Sequence, residues 1–377
     1  MTRPSPKGWC PGAYQPMMSG DGLVVRVRPI MSRLTRDQIL GLCATACQFG
    51  SGIIDLTSRS NLQIRGVSEA NHEAVLVQLE DLALLPDDPA LESRRNILVP
   101  PMWQDGDETY QIVTELLRRL GDLPELPAKM GYAVDINGAP QLSECSADFR
   151  FELASDGGLV LRADGASRGR LVTANTAVDA VLEMADWFVT TGGAQNRRMA
   201  RHTSLTALPA EWQSALPAAP AANLTPGQSP IGAVFGVAFG QIEATELAHL
   251  VTATDATALR VTPWRLFLFE DAEMTDTSTF ITASADPLLT IDACPGAPLC
   301  TSSSVKTREV ARALAGKIKG PLHISGCSKG CARPRPCTTT LVGHNGAFDL
   351  VQNGTPWDQP THSGLAPDTL IESLGEL

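Results

Sequence analysis

Residues 22–67 read GLVVRVRPIMSRLTRDQILGLCATACQFGSGIIDLTSRSNLQIRGV and contain one complete pattern of strand, helix and strand. One apolar run opens the stretch, and a second one closes it near Gly66. Between them the apolar residues recur with a helical period, Thr35 is a favoured N-cap residue, and Asp37 falls in the first turn. The stretch therefore predicts a β-α-β unit.

The same order recurs in the second half of the chain. Residues 232–270 read GAVFGVAFGQIEATELAHLVTATDATALRVTPWRLFLFE, which again predicts strand, helix and strand. When the helices and second strands are aligned, Thr57 falls opposite Thr262. The duplication predicts two related halves that face each other about a pseudo-twofold axis, and ligand sites favour such interfaces.

The rest of the chain divides around these two units. A stretch rich in Pro and Ala without periodicity is the best linker candidate. The predicted segments are residues 1–75 (first half), 76–207 (first α/β domain), 208–230 (linker), 231–275 (second half) and 276–377 (second α/β domain). Residues 338–354, TTTLVGHNGAFDLVQNG, predict two strands joined through His344, Asn345 and Gly346, and a short helix is predicted to begin near Asp368.

The overall charge and hydropathy exclude some partners. The formal net charge of −11 argues against general binding to nucleic acid, because that affinity comes from Lys and Arg side chains that neutralise phosphates. The N-terminal residues contain no apolar core of a signal peptide, and no run of about 18 apolar residues occurs. We expect a cytoplasmic protein with no nucleic-acid or membrane partner.

The basic residues are unevenly divided, because only six of the 30 are lysines. The guanidinium group of arginine is a planar fork that binds a carboxylate through two hydrogen bonds. An excess of arginine therefore fits a ligand with many carboxylates. It also fits an origin in a GC-rich genome, and composition does not separate these interpretations.

Four of the nine cysteines form two pairs, Cys294 and Cys300 in ACPGAPLC and Cys327 and Cys331 in GCSKGC. Disulfides are rare in the cytoplasm, so clustered cysteines there indicate a metal or redox site. Structural zinc sites usually use tight C-x2-C pairs, whereas these wider spacings favour an iron–sulfur cluster. Zinc and a chance arrangement remain alternatives, and Cys337 is either a spare ligand or simply buried.

Three stretches carry polar side chains suited to an anionic ligand: LTSRSNLQIRG, ESRRNILVPP and LPAKMGYAVD. Odd-numbered residues of the first stretch share one face if its strand is regular. Taken singly, each side chain fits a solvated charge as well as a ligand contact. The candidate binding residues are Arg59, Gln63, Arg65, Arg95, Asn96 and Lys129.

Together these features resemble the sirohaem-dependent nitrite and sulfite reductase superfamily, and within it most closely the precorrin-3B synthase family. The resemblance spans nearly the full length and includes the duplicated unit, T-x-R-x-x-x-Q from Thr57, the R-N pair at Arg95, L-P-x-K ending at Lys129 and both cysteine pairs. The opening CPGAYQPMMSGDGLVVRVRP is similar to the synthase branch. The resemblance implies an α+β, nitrite/sulfite reductase-like fold with a duplicated ferredoxin-like unit and mixed α/β domains that carry a [4Fe-4S] cluster.

The resemblance also assigns expected roles to residues. The implied cluster ligands are Cys294, Cys300, Cys327 and Cys331. Arg59, Arg95 and Lys129 are expected to line a tetrapyrrole pocket. In the reductases the last cysteine also bridges to the sirohaem iron, so Cys331 is expected to lie nearest that pocket.

Two positions depart from the reductase pattern. Sulfite reductases typically carry a second basic residue two positions after the lysine of L-P-x-K, where this chain has Gly131. Reductases usually have an acidic residue seven positions beyond the last cysteine, where this chain has Thr338. The missing positive charge disfavours reduction of an anion such as sulfite, while the cluster and pocket patterns are retained.

For the synthase branch, the resemblance implies dioxygen-dependent hydroxylation of precorrin-3A at C20, closure of an acetate arm to a γ-lactone, and NADH as the ultimate reductant. No G-x-G-x-x-G motif follows a predicted strand, so we expect a separate flavoprotein or ferredoxin-type electron donor. The family is also associated with a mononuclear non-haem iron, but no spacing of two histidines and a carboxylate stands out. His323 is close to the cysteines in sequence, and the catalytic residues stay unassigned.

Two other functions stay open at this stage. A sirohaem-dependent nitrite or sulfite reductase shares the scaffold but lacks the expected charges at Gly131 and Thr338. A non-catalytic iron–sulfur electron carrier or redox sensor accounts for the cysteines. That second alternative leaves the basic stretches and the duplicated unit unexplained.

Overall fold

A computed structural model describes residues 11–373 of the chain. Cys10, to which the sequence assigns no role, lies outside this part. The first half contains β1 (Met17–Ser19), β2 (Gly22–Val27), β3 (Arg33–Thr35), α1 (Arg36–Phe49), β4 (Ile53–Leu56), β5 (Leu62–Val67) and α2 (His72–Asp81).

The start of α1 follows from its sequence. The Thr35 hydroxyl accepts from the Gln38 N–H at 3.3 Å, and the Gln38 side chain accepts from the Thr35 N–H at 3.0 Å. This reciprocal capping box satisfies two N–H groups that the helix leaves unpaired. The predicted N-cap at Thr35 is confirmed.

The first α/β domain contains β6 (Ile97–Leu98), α3 (Glu108–Arg118), β7 (Tyr132–Asp135), β8 (Phe149–Leu153), β9 (Leu159–Ala163), β10 (Arg170–Val172), α4 (Ala177–Thr190), α5 (Gly193–Asn196) and α6 (Met199–Thr203). Its sheet has the order β10-β9-β8-β7-β6. Apolar side chains of α3 and α4 pack with those of this sheet in one core.

The segment predicted as a linker is fastened to this domain along part of its length. Backbone hydrogen bonds join Ala215 to Gly169 at 2.9 and 3.0 Å, and the Ala218 N–H donates to the Leu153 carbonyl at 2.8 Å. The end of the segment forms the first strand of the second half. The predicted domain limits themselves stay a prediction.

The second half contains β11 (Gly227–Ser229), β12 (Gly232–Gly236), β13 (Gln241–Glu243), α7 (Ala244–Ala253), β14 (Ala258–Val261) and β15 (Leu266–Glu270). Its turn between β14 and β15 matches the turn between β4 and β5. The hydroxyls of Thr57 and Thr262 each accept from the N–H groups two and four residues later. Ser60 and Arg265 occupy the same position with φ of 53° and 62°. The predicted correspondence of Thr57 and Thr262 is confirmed.

The two halves exchange short strands, which the sequence did not predict. β3 leaves its own half and pairs with β14, while β13 pairs with β4. The resulting sheets have the orders β1-β2-β5-β4-β13 and β11-β12-β15-β14-β3. Side chains from α1 and α7 and from both sheets form one continuous core. Each half therefore depends on the other to complete its sheet.

The second α/β domain contains β16 (Ile291–Ala293), α8 (Thr307–Leu314), β17 (Leu322–Ser325), β18 (Cys337–His344), β19 (Ala347–Gly354), β20 (His362–Leu365) and α9 (Pro367–Ser373). β16, β17 and β18 are parallel, and β19 and β20 continue the sheet antiparallel. Asn345 and Gly346, with φ of 49° and 80°, form the two-residue hairpin turn. The predicted hairpin and C-terminal helix are confirmed. Among residues 11–373 no helix is long and apolar enough to cross a membrane.

Candidate functional site

Both cysteine pairs lie at one edge of the last sheet. β16 ends immediately before Cys294, and β17 ends two residues before Cys327. Because β16 and β17 are parallel neighbours, the loops that follow them leave the sheet at the same edge. The structure therefore brings together two pairs that 26 residues separate in the chain.

The four thiols influence one another's ionisation. Cys331 is exposed as a residue, but its thiol is partly desolvated. This desolvation, and to a smaller extent the negative charges of the three other thiolates, raises the pKa of Cys331 to about 11. Burial is also the main cause that raises the pKa of the Cys294 thiol, and Cys300 and Cys327 add to it. Thiolates this close repel one another, so a positively charged metal core would stabilise them as ligands.

The spacing of the thiols bears on the choice between zinc and a cluster. Structural zinc sites usually use tight C-x2-C pairs, whereas an iron–sulfur cluster is held by thiolates on separate iron atoms. The C-x5-C and C-x3-C pairs, whose loops leave the sheet at one edge, fit a cluster better than zinc.

Gly326 lets the backbone approach the first cysteine. Its N–H donates to the Sγ atom of Cys294 at 3.1 Å. A Cβ atom at this position would lie 2.3 Å from the hydroxyl of Ser303 and 3.5 Å from Cys294 Sγ. Backbone N–H groups that point at cluster sulfur tune the reduction potential, so this donor also fits a cluster. Cys337, by contrast, is buried, and its Sγ donates to the Pro321 carbonyl at 3.2 Å.

Arg59 and Asn96 meet at the segment formed by Lys129 and Met130. The Nη2 atom of Arg59 donates to the Lys129 carbonyl at 2.8 Å. The Nδ2 atom of Asn96 donates to the Met130 carbonyl at 3.3 Å. Arg95 adjoins Asn96 in sequence. The structure thus brings the side chains of Arg59 and Asn96 to the backbone of Lys129 and Met130, and the roles of all six candidates stay a prediction.

Arg65 has partners within the protein. Its Nε and Nη2 atoms donate to the carboxylate of Asp21 at 2.9 and 2.7 Å, and Nη1 donates to Asp55 at 3.0 Å. All three nitrogens are therefore bound to protein carboxylates in a buried network. The strand pattern located the face of Arg65 but not these partners, and its role as a ligand contact stays a prediction.

Arg59 also differs from the strand pattern. It lies in the turn that precedes β5, so the alternation of side chains along that strand does not apply to it. Gln63 does lie on β5 and is half-buried, opposite Asp55 of the neighbouring strand. Gln63 stays a predicted contact.

The two arginines of the stretch ESRRN have different surroundings. Arg94 donates to the carbonyls of Leu120 and Leu123 at 3.0 and 2.8 Å, next to the end of α3. Arg95 donates to the carbonyl of Arg28 at 3.1 Å. Burial, followed by the charge of Arg28, lowers the pKa of Arg95. A desolvated cation beside another cation gains stability from an anionic ligand.

Sequence reasoning missed Arg198 and the residues that hold it. The hydroxyl of Ser146 accepts from the Nη2 atoms of Arg59 at 3.2 Å and Arg198 at 3.1 Å. Arg198 Nε also donates to the buried carboxylate of Asp148 at 2.9 Å. The run NRRM around Arg198 was the one signal in the sequence, and nothing local connects it with Arg59.

Three buried polar atoms in these segments lack a hydrogen-bond partner among the residues described: Ser60 Oγ, Asn61 Nδ2 and Asn96 Oδ1. Ser60 and Asn61 directly follow Arg59, and they are only 1% and 5% exposed. Buried polar atoms without partners cost free energy, so water or a polar ligand is expected beside them. The Ser60 hydroxyl and the Asn61 amide N–H can donate to a carboxylate, whereas the Asn96 oxygen accepts and needs a donor such as water.

Gly131 is packed where the reductases carry a second basic residue. A Cβ atom there would lie 2.8 Å from the carbonyl oxygen of Asn96. The Gly131 N–H donates to the buried carboxylate of Asp148 at 3.1 Å. The close backbone packing therefore excludes a basic side chain at this position.

Two contacts connect the cysteine edge with the polar region. The Leu299 carbonyl accepts from the Ser19 hydroxyl at 2.9 Å, which docks the first cysteine loop on the turn after β1. Arg335, in the loop after the second pair, donates to Glu144 at 3.0 Å, in the same loop as Ser146. The loops that carry or follow the thiols thus contact the end of β1 and the loop that contains Ser146.

The sequence and the fold are similar to those of known proteins. A family model described as the nitrite/sulfite reductase ferredoxin-like half domain matches residues 15–82. A precorrin-3B synthase from Sinorhizobium sp. is 33% identical over 387 residues, which cover 92% of this chain and 83% of the relative. The solved structure of the Mycobacterium tuberculosis NirA protein matches with a TM-score of 0.61 at 18% identity, over 94% of this chain and 79% of that chain.

The likeness to NirA shows the fold and, with the ferredoxin-like match, confirms the predicted α+β, nitrite/sulfite reductase-like class. The curated relative is similar along most of both chains, and its name is that of an enzyme. Residues 15–82 thus match a ferredoxin-like half domain of nitrite/sulfite reductases, and the chain belongs to the precorrin-3B synthase family.

Proposed function

We propose that this chain hydroxylates precorrin-3A at C20 with dioxygen and closes an acetate arm to a γ-lactone, as a step of aerobic cobalamin biosynthesis. Beyond family membership, the observation that carries the proposal is the packing of Gly131. Because a Cβ atom would meet the Asn96 carbonyl at 2.8 Å, the second cation expected of a sulfite reductase has no room here. A pocket for a tetrapyrrole then serves a substrate instead of a sirohaem cofactor.

The proposed cofactor is a [4Fe-4S] cluster, which supplies electrons one at a time when it is bound. Its proposed ligands are Cys294, Cys300, Cys327 and Cys331. The donor set fits, because four thiols lie at one edge and the Gly326 N–H points at the sulfur of Cys294. A mononuclear iron stays a prediction without assigned ligands.

The basic side chains are proposed to bind and orient the substrate. The carboxylates of precorrin-3A would pair with the charges of Arg59, Arg95 and Lys129. Arg59 is already held by the Lys129 carbonyl and the Ser146 hydroxyl, so binding costs it little conformational entropy. Arg95, already partly desolvated, would gain a counter-charge. Several fixed contacts would present C20 in one orientation.

The reaction balances as a monooxygenation. One atom of dioxygen enters the substrate at C20, and the other leaves as water after taking up two electrons and two protons. The acetate carboxyl oxygen forms the lactone C–O bond to the ring carbon next to C20, the double bond between that carbon and C20 is consumed, and the carboxyl proton ends on the new C20 hydroxyl. NADH is the proposed ultimate source of the electrons. A separate flavoprotein or ferredoxin-type donor would pass them on, because the sequence carries no G-x-G-x-x-G motif after a strand.

The direct test is conversion of precorrin-3A by the anaerobically reconstituted protein with a chemical reductant and labelled dioxygen. We expect a product that contains one labelled oxygen atom and a lactone. Recovery of unchanged substrate under conditions that keep the cluster intact would contradict the proposal. Full-rate conversion with NADH and the purified chain alone would eliminate the separate donor.

A sirohaem-dependent reductase is the second candidate, favoured by the likeness to the NirA fold and by the exposure of Cys331. The visible spectrum of the protein purified without oxygen distinguishes the two. A sharp Soret band would indicate bound sirohaem. A broad absorption that bleaches with dithionite, without macrocycle bands, would favour the synthase. Failure to bind any tetrapyrrole in a titration would instead favour an electron carrier or redox sensor.

A further inference from the structure

Arg308 is a buried cation whose hydrogen-bonding groups are incompletely used. It is the second residue of α8, and its side chain is 15% exposed. Its Nε and Nη1 atoms are buried and have no hydrogen-bond partner among the residues described. Its Nη2 atom lies 3.9 Å from Asp55 Oδ1, which is too long for a hydrogen bond. Two N–H directions of a buried guanidinium therefore need an acceptor.

The nearest carboxylate is already occupied. Asp55 accepts from Arg65 Nη1 and from Gln241 Nε2, each at 3.0 Å. Arg308 adds a positive charge at longer range, and the charges that act on it include Asp55 and Cys294. Attraction to Asp55 explains why a cation lies here. It leaves the Nε and Nη1 groups of Arg308 without partners.

The start of α8 is packed against the first cysteine loop. The hydroxyl of Thr307, the residue before Arg308, donates to the carbonyl of Cys294. Gly296 has a φ of 68°, and a Cβ atom there would lie 2.5 Å from the Thr307 hydroxyl. These contacts hold the backbone of Arg308 close to Cys294.

We infer that Arg308 donates hydrogen bonds to the sulfur atoms of the cluster at Cys294 and raises the reduction potential of that cluster. The inference rests on the proposed cluster. Reduction adds one electron to the cluster, and a nearby cation stabilises the additional negative charge more strongly in a desolvated site than in water. Hydrogen bonds to sulfur act in the same direction.

The chain offers a matched control on the same helix. Arg312 lies one turn after Arg308, is exposed, and places its guanidinium 5.2 Å from the centre of the Phe239 ring. Removing its charge tests general electrostatics of α8 without touching the buried N–H groups. Arg308→Met removes the positive charge and the N–H donors but keeps a long apolar side chain. Arg308→Lys keeps the positive charge but loses the planar guanidinium group with its several N–H donors.

The experiment is a reductive titration of the holo-protein, in which the EPR signal of the reduced cluster is recorded to obtain the reduction potential. For Arg308→Met we expect reduction to become about tenfold less favourable, which is 59 mV for a one-electron couple. Arg308→Lys should shift in the same direction by a smaller amount, and Arg312→Met should match the wild type.

Other outcomes separate the competing explanations. A wild-type potential in Arg308→Met, with full cluster content, would overturn the inference, and weaker tetrapyrrole binding in that variant would assign Arg308 to the substrate. If Arg308→Met does not retain a cluster, the test uses Arg308→Lys. A wild-type reduction potential in Arg308→Lys would also overturn the inference. Absence of any four-iron signal in the reconstituted wild type would refute the cluster itself.

Discussion

The Nη2 atom of Arg59 lies 2.8 Å from the carbonyl oxygen of Lys129, across 70 positions of the chain. This hydrogen bond joins a turn of the first half to the first α/β domain. It holds the Arg59 guanidinium against the backbone of a second candidate residue, Lys129. The Arg59 side chain is therefore fixed by the Lys129 carbonyl and the Ser146 hydroxyl.

Arg59→Ala should weaken binding of precorrin-3A and leave the cluster unchanged. Loss of a charge-assisted hydrogen bond of about 1.5–3 kcal/mol corresponds to a roughly 10- to 150-fold higher Kd. A tetrapyrrole titration followed by absorbance measures this, with iron content as the check on the cluster. The control is Arg118→Ala, an exposed arginine paired with Glu115. Equal affinity in the Arg59 variant would remove that residue from the pocket.

Cys331→Ser should abolish or convert the four-iron cluster, because a hydroxyl is a poor replacement for a thiolate ligand. EPR of the reduced protein and its iron and sulfide content measure the loss. Cys337→Ala is the matched control, since that thiol is buried and donates to the Pro321 carbonyl. A wild-type signal in Cys331→Ser, or its loss in Cys337→Ala, would show that the ligand set is misassigned.

Gly131→Ala should destabilise the first α/β domain by about 1–3 kcal/mol, the usual cost of overpacking. The added Cβ atom would meet the Asn96 carbonyl at 2.8 Å. Denaturant unfolding followed by tryptophan fluorescence measures the change. At Gly121 an added Cβ atom meets nothing within 4 Å, so Gly121→Ala should leave stability nearly unchanged. Equal stability of the two variants would mean that position 131 tolerates a side chain.

His323 should make the protein less stable as the pH falls. The side chain is fully buried, and burial lowers its pKa from 6.5 to about 4. The unfolded chain therefore binds a proton first, so stability decreases from about pH 6.5 to about pH 4 and this contribution then levels off. His323→Gln should show a smaller loss of thermal stability between pH 7.5 and pH 5 than the wild type. The exposed His362, replaced by Gln, should keep the wild-type pH dependence, and the same result for His323→Gln would contradict the prediction.

Local chemistry made part of this protein predictable. Thr35 and Gln38 form a capping box because they lie three residues apart, and Asn345 and Gly346 make a hairpin turn because both tolerate positive φ. The repeat of the β-α-β unit was visible because each copy carries its own periodic pattern. These features depend on neighbours in the chain, which is what a sequence displays.

The charged residues of β5 and the turn before it show the limit of that reasoning. Arg59 and Arg65 are equally basic and only six positions apart, so the pattern treated them alike. The structure binds Arg65 to two carboxylates, one of which belongs to another strand, and binds Arg59 to the Lys129 carbonyl and the Ser146 hydroxyl. Which charge is balanced inside the protein depends on contacts between distant segments.

By itself, the sequence determined the elements, the duplication, the cysteine pairs and the family resemblance, because each is carried by residue types at short and fixed spacings. Only the tertiary structure decided that β3 and β13 exchange between the halves, since strands of three residues have no pattern that names a partner. It also decided that both cysteine pairs leave one sheet edge, that Thr307 bonds the Cys294 carbonyl and that Nε and Nη1 of Arg308 are buried. These features depend on contacts between residues that are distant in the sequence. Burial and strand pairing between such residues select one arrangement of the folded chain.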